Sequence, residues 1–236
     1  VCIPNAITIS RPRANRVLGG PDGGTAMSNA EEISSKQKQI AVSEFFEKNK
    51  HFLGFDSLQR SIITAVKESV DNSLDACEEA RILPTIHVEL NRQKNDKIEF
   101  ITQDNGPGIP RDAIEDVFGK FLLGSRFHAI RQTRGQQGIG ITGVVMYSQL
   151  TTGAKTNVIS KIKNENSAVF VELGLDTRKN RALKTGEKRD VWIDERNGQD
   201  IEQGLRIKTV MKGKYQKGKQ SVHQYLRMTS IVNPHA

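Results

Sequence analysis

The chain has 236 residues, 36% hydrophobic and 26% charged, an ordinary composition for one folded domain with appendages. No apolar run reaches the roughly 18 residues that span a bilayer, and the first residues lack the basic, apolar and small-residue order of a secretory signal, so a cytoplasmic protein with no membrane partner is expected. Two cysteines, Cys2 and Cys77, are too few for a disulfide framework or a zinc cluster, and 35 Lys and Arg against 27 Asp and Glu leave a charge of +8 that attracts polyanions without proving a nucleic-acid site.

Residues 1–39 carry the breaker run Gly19-Gly20-Pro21-Asp22-Gly23-Gly24 and little apolar content, so they are expected to be a poorly structured segment or arm. Val42, Phe45 and Phe46 then suggest a short helix. The next helix, from Asp56 or Ser57 to Ala80, is the most informative. Ile63, Val66, Val70, Leu74 and Cys77 recur at steps of three and four and form one apolar stripe. At about 100° per residue, Glu68, Asn72 and Asp75 share an arc of roughly 60° nearly opposite that stripe.

Alternation predicts strands over 85–91 and 97–103, joined by the polar turn Gln93-Lys94-Asn95-Asp96. The loop Asp104-Asn105-Gly106-Pro107-Gly108-Ile109-Pro110 follows, and Pro110 can open a helix with Ile114, Val117 and Phe118 on its apolar side. Residues 121–137 read as a long basic loop. Gly138-Ile139-Gly140-Ile141 leads into an apolar helix ending near Gln149. Strands are expected over 155–162, 168–175, 188–193 and 205–211, and a last helix over 221–230. No internal repeat is present. Helices interleaved with hairpins predict an α+β fold, a two-layer sandwich of helices on a mixed β-sheet, with a domain at 40–214 and the start of a helical segment at 215–236.

Three elements carry chemistry. An Asn in mid-helix is a mediocre helix former, and its amide oxygen is a hard ligand suited to Mg²⁺. A Glu one turn away can hold a water and take its proton. Glu68 and Asn72 therefore make a plausible site for hydrolysing a metal-bound phosphoanhydride, although a solvated helix face would look the same. The glycines of the 104–110 loop let a flat base approach the backbone, and Asp104 can accept from an exocyclic amine; a simple tight turn also explains them. Gly135-Gln136-Gln137-Gly138-Ile139-Gly140 precedes a helix, so its amides can cradle an anion. It is neither a Walker loop nor a dinucleotide fingerprint. After Glu202 there is no further acidic residue, whereas Arg206, Lys208, Lys212, Lys214, Lys217, Lys219 and Arg227 follow. That stretch is either a solvated face or a phosphate-contacting surface.

Together, Glu-x-x-x-Asn, Asp-x-Gly-x-Gly about 30 residues on, and Gly-x-x-Gly-x-Gly resemble the GHKL ATPases, which include DNA gyrase, the ninety-kilodalton chaperones and histidine kinases. The strings 72–80, 104–110, Val117-Phe118-Gly119-Lys120 and 134–141, and the ending Ile231-Val232-Asn233-Pro234-His235-Ala236, narrow the similarity to the B-subunit family of the type IIB (topoisomerase VI) DNA topoisomerases. The resemblance implies ATP and Mg²⁺ as cofactors. Glu68 would be the general base and Asn72 the Mg²⁺ ligand, with Asp75 supporting the site. Asp104 would bond the adenine amine, with Gly108 close to the base. Gly135, Gln136, Gln137, Gly138, Ile139 and Gly140 would wrap the triphosphate, Lys120 would reach a phosphate, and Ser125 would lie in the lid.

The resemblance also implies DNA as substrate, a homodimer on ATP binding, an A-type cleavage subunit, separate or fused, and a nucleoid-associated place in a prokaryotic cytoplasm. Tyr147, Tyr215 and Tyr225 lack a cleavage motif and read as packing or surface residues. Ser125-Arg126 stands where the family has Thr-Lys, and Leu205 replaces a Thr that helps hold the adenine-side hydrogen bonds. The family completes its site with a lysine from a following transducer domain, so weak hydrolysis is expected from these residues alone. Two other readings fit the bare residues: a histidine-kinase-like phosphotransferase, and a non-catalytic DNA-binding module.

Overall fold

A computed structural model describes residues 42–119, 140–176 and 181–236, which fall within one compact unit, 40–236. The N-terminal segment and the sequence-predicted residues Lys120, Ser125, Gly135, Gln136, Gln137, Gly138 and Ile139 lie outside the described residues. The elements are α1 (Val42–Asn49), α2 (Leu58–Glu79), β1 (Ile86–Arg92), β2 (Lys97–Asp104), a 3-10 turn (Arg111–Ala113), α3 (Ile114–Gly119), α4 (Gly140–Thr152), β3 (Thr156–Lys161), β4 (Ala168–Asp176), β5 (Arg181–Asp190), β6 (Gly204–Lys212) and α5 (Val222–Val232). Among them no helix is long and apolar enough to cross a membrane.

Capping sets the ends of α2. The Ser57 hydroxyl accepts from Arg60 N at 3.2 Å, a bond that contributes about 1 kcal/mol at such a position. At the other end Ile82 N donates to Cys77 O (2.8 Å) and Arg81 N to Glu78 O (3.1 Å). This pairing stops a helix by turning the next residue left-handed, and here that residue is Arg81, at φ 57°. The apolar stripe lies in the core: Val66, Val70, Leu74 and Cys77 are buried and Ile63 is half-buried. The opposite arc is less open than a solvated face, because Asp75 is only 5% exposed.

The six strands form one sheet in the order β1-β2-β6-β3-β4-β5. The α+β class holds, but every ladder is antiparallel where a mixed sheet was expected. The chain reaches this order by inserting its last strand, β6, between β2 and β3, so each neighbour runs against it. Alternation decides the faces. Ile98 and Phe100 of β2, Val169, Val171 and Leu173 of β4, and Ile207 and Met211 of β6 are buried in the core shared with α2 and α4. At one end Phe46, Phe55 and Tyr147 cluster, with ring centroids 4.9 Å apart for Phe55 and Tyr147.

One strand departs from the sequence reading. β5 begins at Arg181, not Lys188, and ends at Asp190. Its residues from Leu183 on are mostly exposed and highly charged, as suits the edge of a sheet, so no apolar alternation marks it. The apolar trio that suggested a later strand, Val191-Trp192-Ile193, instead begins the connection to β6, with Trp192 buried between two exposed neighbours. The Pro110 prediction resolves into a 3-10 turn followed by the six-residue α3, in which Ile114 and Phe118 are buried and Val117 is exposed.

Arg81 holds a left-handed conformation that costs an L-residue about 1 kcal/mol and that glycine adopts freely. Its side chain is exposed. Arg81→Gly is therefore expected to stabilise the fold by roughly 0.5–1 kcal/mol after the greater unfolded-state entropy of glycine. Thermal denaturation would show a rise of about 1–4 °C, and a fall would contradict the cap assignment.

Candidate functional site

Helix α2 supplies three neighbouring positions on one side of the site, Glu68, Asn72 and Ser73. Glu68 and Asn72 are half-buried and one turn apart. Burial pushes the Glu68 carboxyl above its ordinary range, with Lys67 opposing the shift and Asp71 adding to it. The first residue of α4, Gly140, packs directly on this carboxylate, and an added Cβ would collide with Glu68 Oε2 and lie 2.7 Å from its Cδ. The glycine thus lets the start of α4 come up against the carboxylate, and a side chain there would require Glu68 to move.

Asp104 ends β2 and is 7% exposed. Its Oδ2 accepts from the Ser73 hydroxyl at 2.7 Å, and its Oδ1 accepts from Gly106 N at 2.9 Å and Leu205 N at 3.2 Å. Burial pushes the Asp104 carboxyl up, and these three donors oppose that shift. Ser73 is the functional residue that reading for roles passed over. A small hydroxyl inside a helix has no periodic signal, and its part is visible only once β2 lies beside α2. Cys77, one turn further along, is buried, and its thiol is pushed up to about 11 by that burial and by the charge of Asp104, so it is not a reactive nucleophile.

Leu205 is the direct cross-strand partner of Asp104, so its side chain lies on the same face of the sheet. A threonine there would set a hydroxyl beside the carboxylate, whereas Leu205 adds a half-buried apolar group to the core. The backbone N–H of residue 205 supplies its hydrogen bond regardless of side chain.

Other bonds fix the 104–110 loop. Asn105 donates from Nδ2 to Leu83 O (3.0 Å) and accepts from Thr85 N (2.8 Å), tying the loop to the start of β1. Ile109 N donates to Ser160 Oγ (2.7 Å), and the Ser160 hydroxyl donates back to Ile109 O (2.8 Å). Gly108, at φ 72°, rests on β3, and a Cβ there would collide with the Lys161 carbonyl. The glycine is therefore required by the protein's own packing.

Two further observations bound the site. Among the described residues no cluster of three or more His, Cys, Asp or Glu could hold a metal ion. A cation at Asn72 would take most of its ligands from water and phosphate, as Mg²⁺ commonly does. Separately, Tyr225 of α5 donates to Asp71 Oδ1 at 2.9 Å, linking the last helix to the one that carries Glu68. A groove of about 530 Å³, lined by Ile159, Phe170, Lys188 and Arg206 among others, opens on the outer face of the sheet and contains none of the predicted site residues.

A helix bearing Glu and Asn, a buried aspartate at a strand end and a helix that begins at a glycine against the glutamate are the arrangement expected of the GHKL class of ATPases. Residues 57–204 match the family described as histidine kinase-, DNA gyrase B-, and HSP90-like ATPase, and the chain belongs to that family. It is 51% identical over 208 residues to the B subunit of type 2 DNA topoisomerase 6 from Methanosarcina acetivorans, a match covering 88% of this chain and 32% of the relative. The proteins of that name from Methanococcoides burtonii (88% of this chain, 32% of the relative) and Archaeoglobus fulgidus (86% and 33%) are each 50% identical to it. The chain thus spans about a third of the length of these curated relatives.

Asp104→Asn separates stability from recognition. A carboxyl raised by burial costs folding nothing below its unfolded-state pKa, and the cost grows as pH rises towards its folded value. The amide removes this cost at neutral pH and can keep the bonds to Gly106 N, Leu205 N and Ser73. Its melting temperature at pH 7 should equal or exceed that of the parent, while ATP affinity falls by about tenfold or more through loss of the charged acceptor. A variant that melts lower but binds ATP normally would reverse this assignment.

Proposed function

We propose that this chain binds and hydrolyses ATP as the ATPase portion of the B subunit of a type IIB DNA topoisomerase. The observation that carries the reading is the shared helix. Through Ser73, α2 holds Asp104, the acceptor for an adenine amine, and the same helix carries Glu68 against the N-terminus of α4. Base recognition and the catalytic carboxylate are thereby fixed to one rigid rod.

The residues present suit the chemistry. Glu68, desolvated and raised, is a stronger base than a solvated glutamate. It takes a proton from water as the water oxygen bonds the γ-phosphorus and the bond from that phosphorus to the bridging oxygen of ADP breaks. Asn72 offers a hard oxygen for Mg²⁺, which when bound neutralises phosphate charge. The N-terminus of α4 aims backbone N–H groups at developing negative charge. Gly135 to Ile139 and Lys120 complete the phosphate cradle in this reading, and Ser125 belongs to its lid.

In the whole assembly, ATP binding dimerises two such subunits into a gate, and an A-type partner cuts and passes duplex DNA in a prokaryotic cytoplasm. The names and identity of the relatives support this. Residues 1–236 alone are expected to bind nucleotide and turn it over slowly.

Calorimetry with Mg²⁺ and a non-hydrolysable ATP analogue is expected to show one site per chain; no heat of binding from the folded protein would sink the proposal. In the full-length protein with its A-type partner, Glu68→Ala should keep analogue affinity within about threefold and lose roughly 10²-fold or more of turnover. Retained turnover would remove Glu68 as the base.

A further inference from the structure

The basic run after Glu202 does not hang free. Its first part is β6, and the segment beyond lies beside the β1–β2 turn at one end of the sheet. Lys212 is the cross-strand partner of Lys97, and its Nζ donates to Asn95 O at 2.6 Å. Gly213 N donates to Asp96 O at 2.8 Å, and Lys214 N to Leu58 O, in the first turn of α2, at 3.1 Å. Lys94 and Lys97 of the hairpin are thus gathered with Lys212 and Lys214 of the closing segment, and Lys217 and Lys219 follow on the stretch that leads to α5.

These six contrast with five cations of the sheet. Lys155, Lys161, Lys188, Arg206 and Lys208 each pair with a carboxylate. Among the described residues none of the six does. Lys94, Lys214, Lys217 and Lys219 are exposed, and Tyr215 among them is 45% exposed. Like charges directly opposite in a ladder destabilise it, so Lys97 facing Lys212 costs the fold something that a bound polyanion would recover. The N-terminus of the 22-residue α2 adds partial positive charge at the same end.

We propose that this surface binds the phosphate backbone of duplex DNA without regard to sequence. Lysines on flexible stems act as point charges on phosphates, whereas base reading needs rigid, planar donors seated in a groove. The hairpin end of this surface stands away from the nucleotide site. At about 1.5 Å per residue, the contact at Leu58 is roughly 15 Å along α2 from Glu68, and Asp104 lies beyond it in the same direction. DNA held here and ATP at the site would thus be carried by two parts of one helix. The choice of DNA as the polyanion rests on the topoisomerase reading; the surface itself rests on the six lysines.

The test uses the full-length chain with Lys94, Lys214, Lys217 and Lys219 each changed to Gln. Anisotropy of a labelled random-sequence duplex is followed across a salt series. Removing one phosphate interaction lowers the slope of log K against log salt by about 0.9, so a slope shallower by about 2–4 is expected, with duplex affinity at low salt down about tenfold or more. A control with Lys48, Lys50, Lys163 and Arg189 changed to Gln loses the same charge and should keep its slope within about 1. An unchanged slope in the folded lysine variant, or an equal change in the control, overturns the surface. Unchanged duplex binding with lost binding to phosphatidylserine vesicles assigns it to a membrane and overturns it too. Calorimetry with the ATP analogue on the same variant should match the parent. A parent that binds no analogue fails the ATPase reading, while the salt slopes still decide this one.

Discussion

A carboxyl group can be buried between a helix and a sheet only when donors on both sides replace its water. Asp104 has them: a hydroxyl from α2, an N–H from its own loop and an N–H from β6. The order of strands serves the same contact, because β6 lying beside β2 brings the residue-205 amide to Asp104. Ser73, Cys77 and Asn105 then align around that contact, and the α2 register that seats Ser73 on Asp104 also fixes where Glu68 and Asn72 stand. This one buried polar junction thus ties α2 to the 104–110 loop.

Gly140 shows a second constraint. Bringing a helix N-terminus against a carboxylate favours its charged form, while enclosing it disfavours that form. At Glu68 the enclosure dominates. A general base gains from this balance, because it must accept a proton during the reaction yet remain ionised beforehand. The glycine leaves room for the approach, so in the proposed reaction the first residue of α4 helps set where the glutamate stands.

Much of this was legible in the amino-acid order. The stripe of α2, its start at Asp56 or Ser57 and its end at Ala80 were readable from spacing and end signals, and the strands of the β1–β2 hairpin from alternation. What escaped has physical causes. β5 is an exposed edge whose charges erase period-two contrast, and Trp192 drew the prediction a few residues too late. Antiparallel order depends on where β6 inserts, a long-range choice with no local signature. Asp75 was placed on the correct side of the helix, but its burial depends on what packs there. The place of Asp104 at a strand end before a glycine loop was readable, whereas its partnership with Ser73 and the 205 amide needed the sheet to be assembled. The Leu205 replacement was visible as a departure, and the structure supplies its reason for being tolerated: a backbone donor does not depend on the side chain.

The docking of α5 bears on how short the protein can be made. Val222 is buried, Tyr225 and Leu226 pack against the same core as α2 and α4, and the Tyr225 phenol reaches Asp71. A version ended at residue 214 would strip this cover from α2. It would open an apolar seat to water and remove a hydrogen-bond donor from a carboxylate one turn from Glu68. A unit that keeps α2 covered therefore runs past the last strand and through α5.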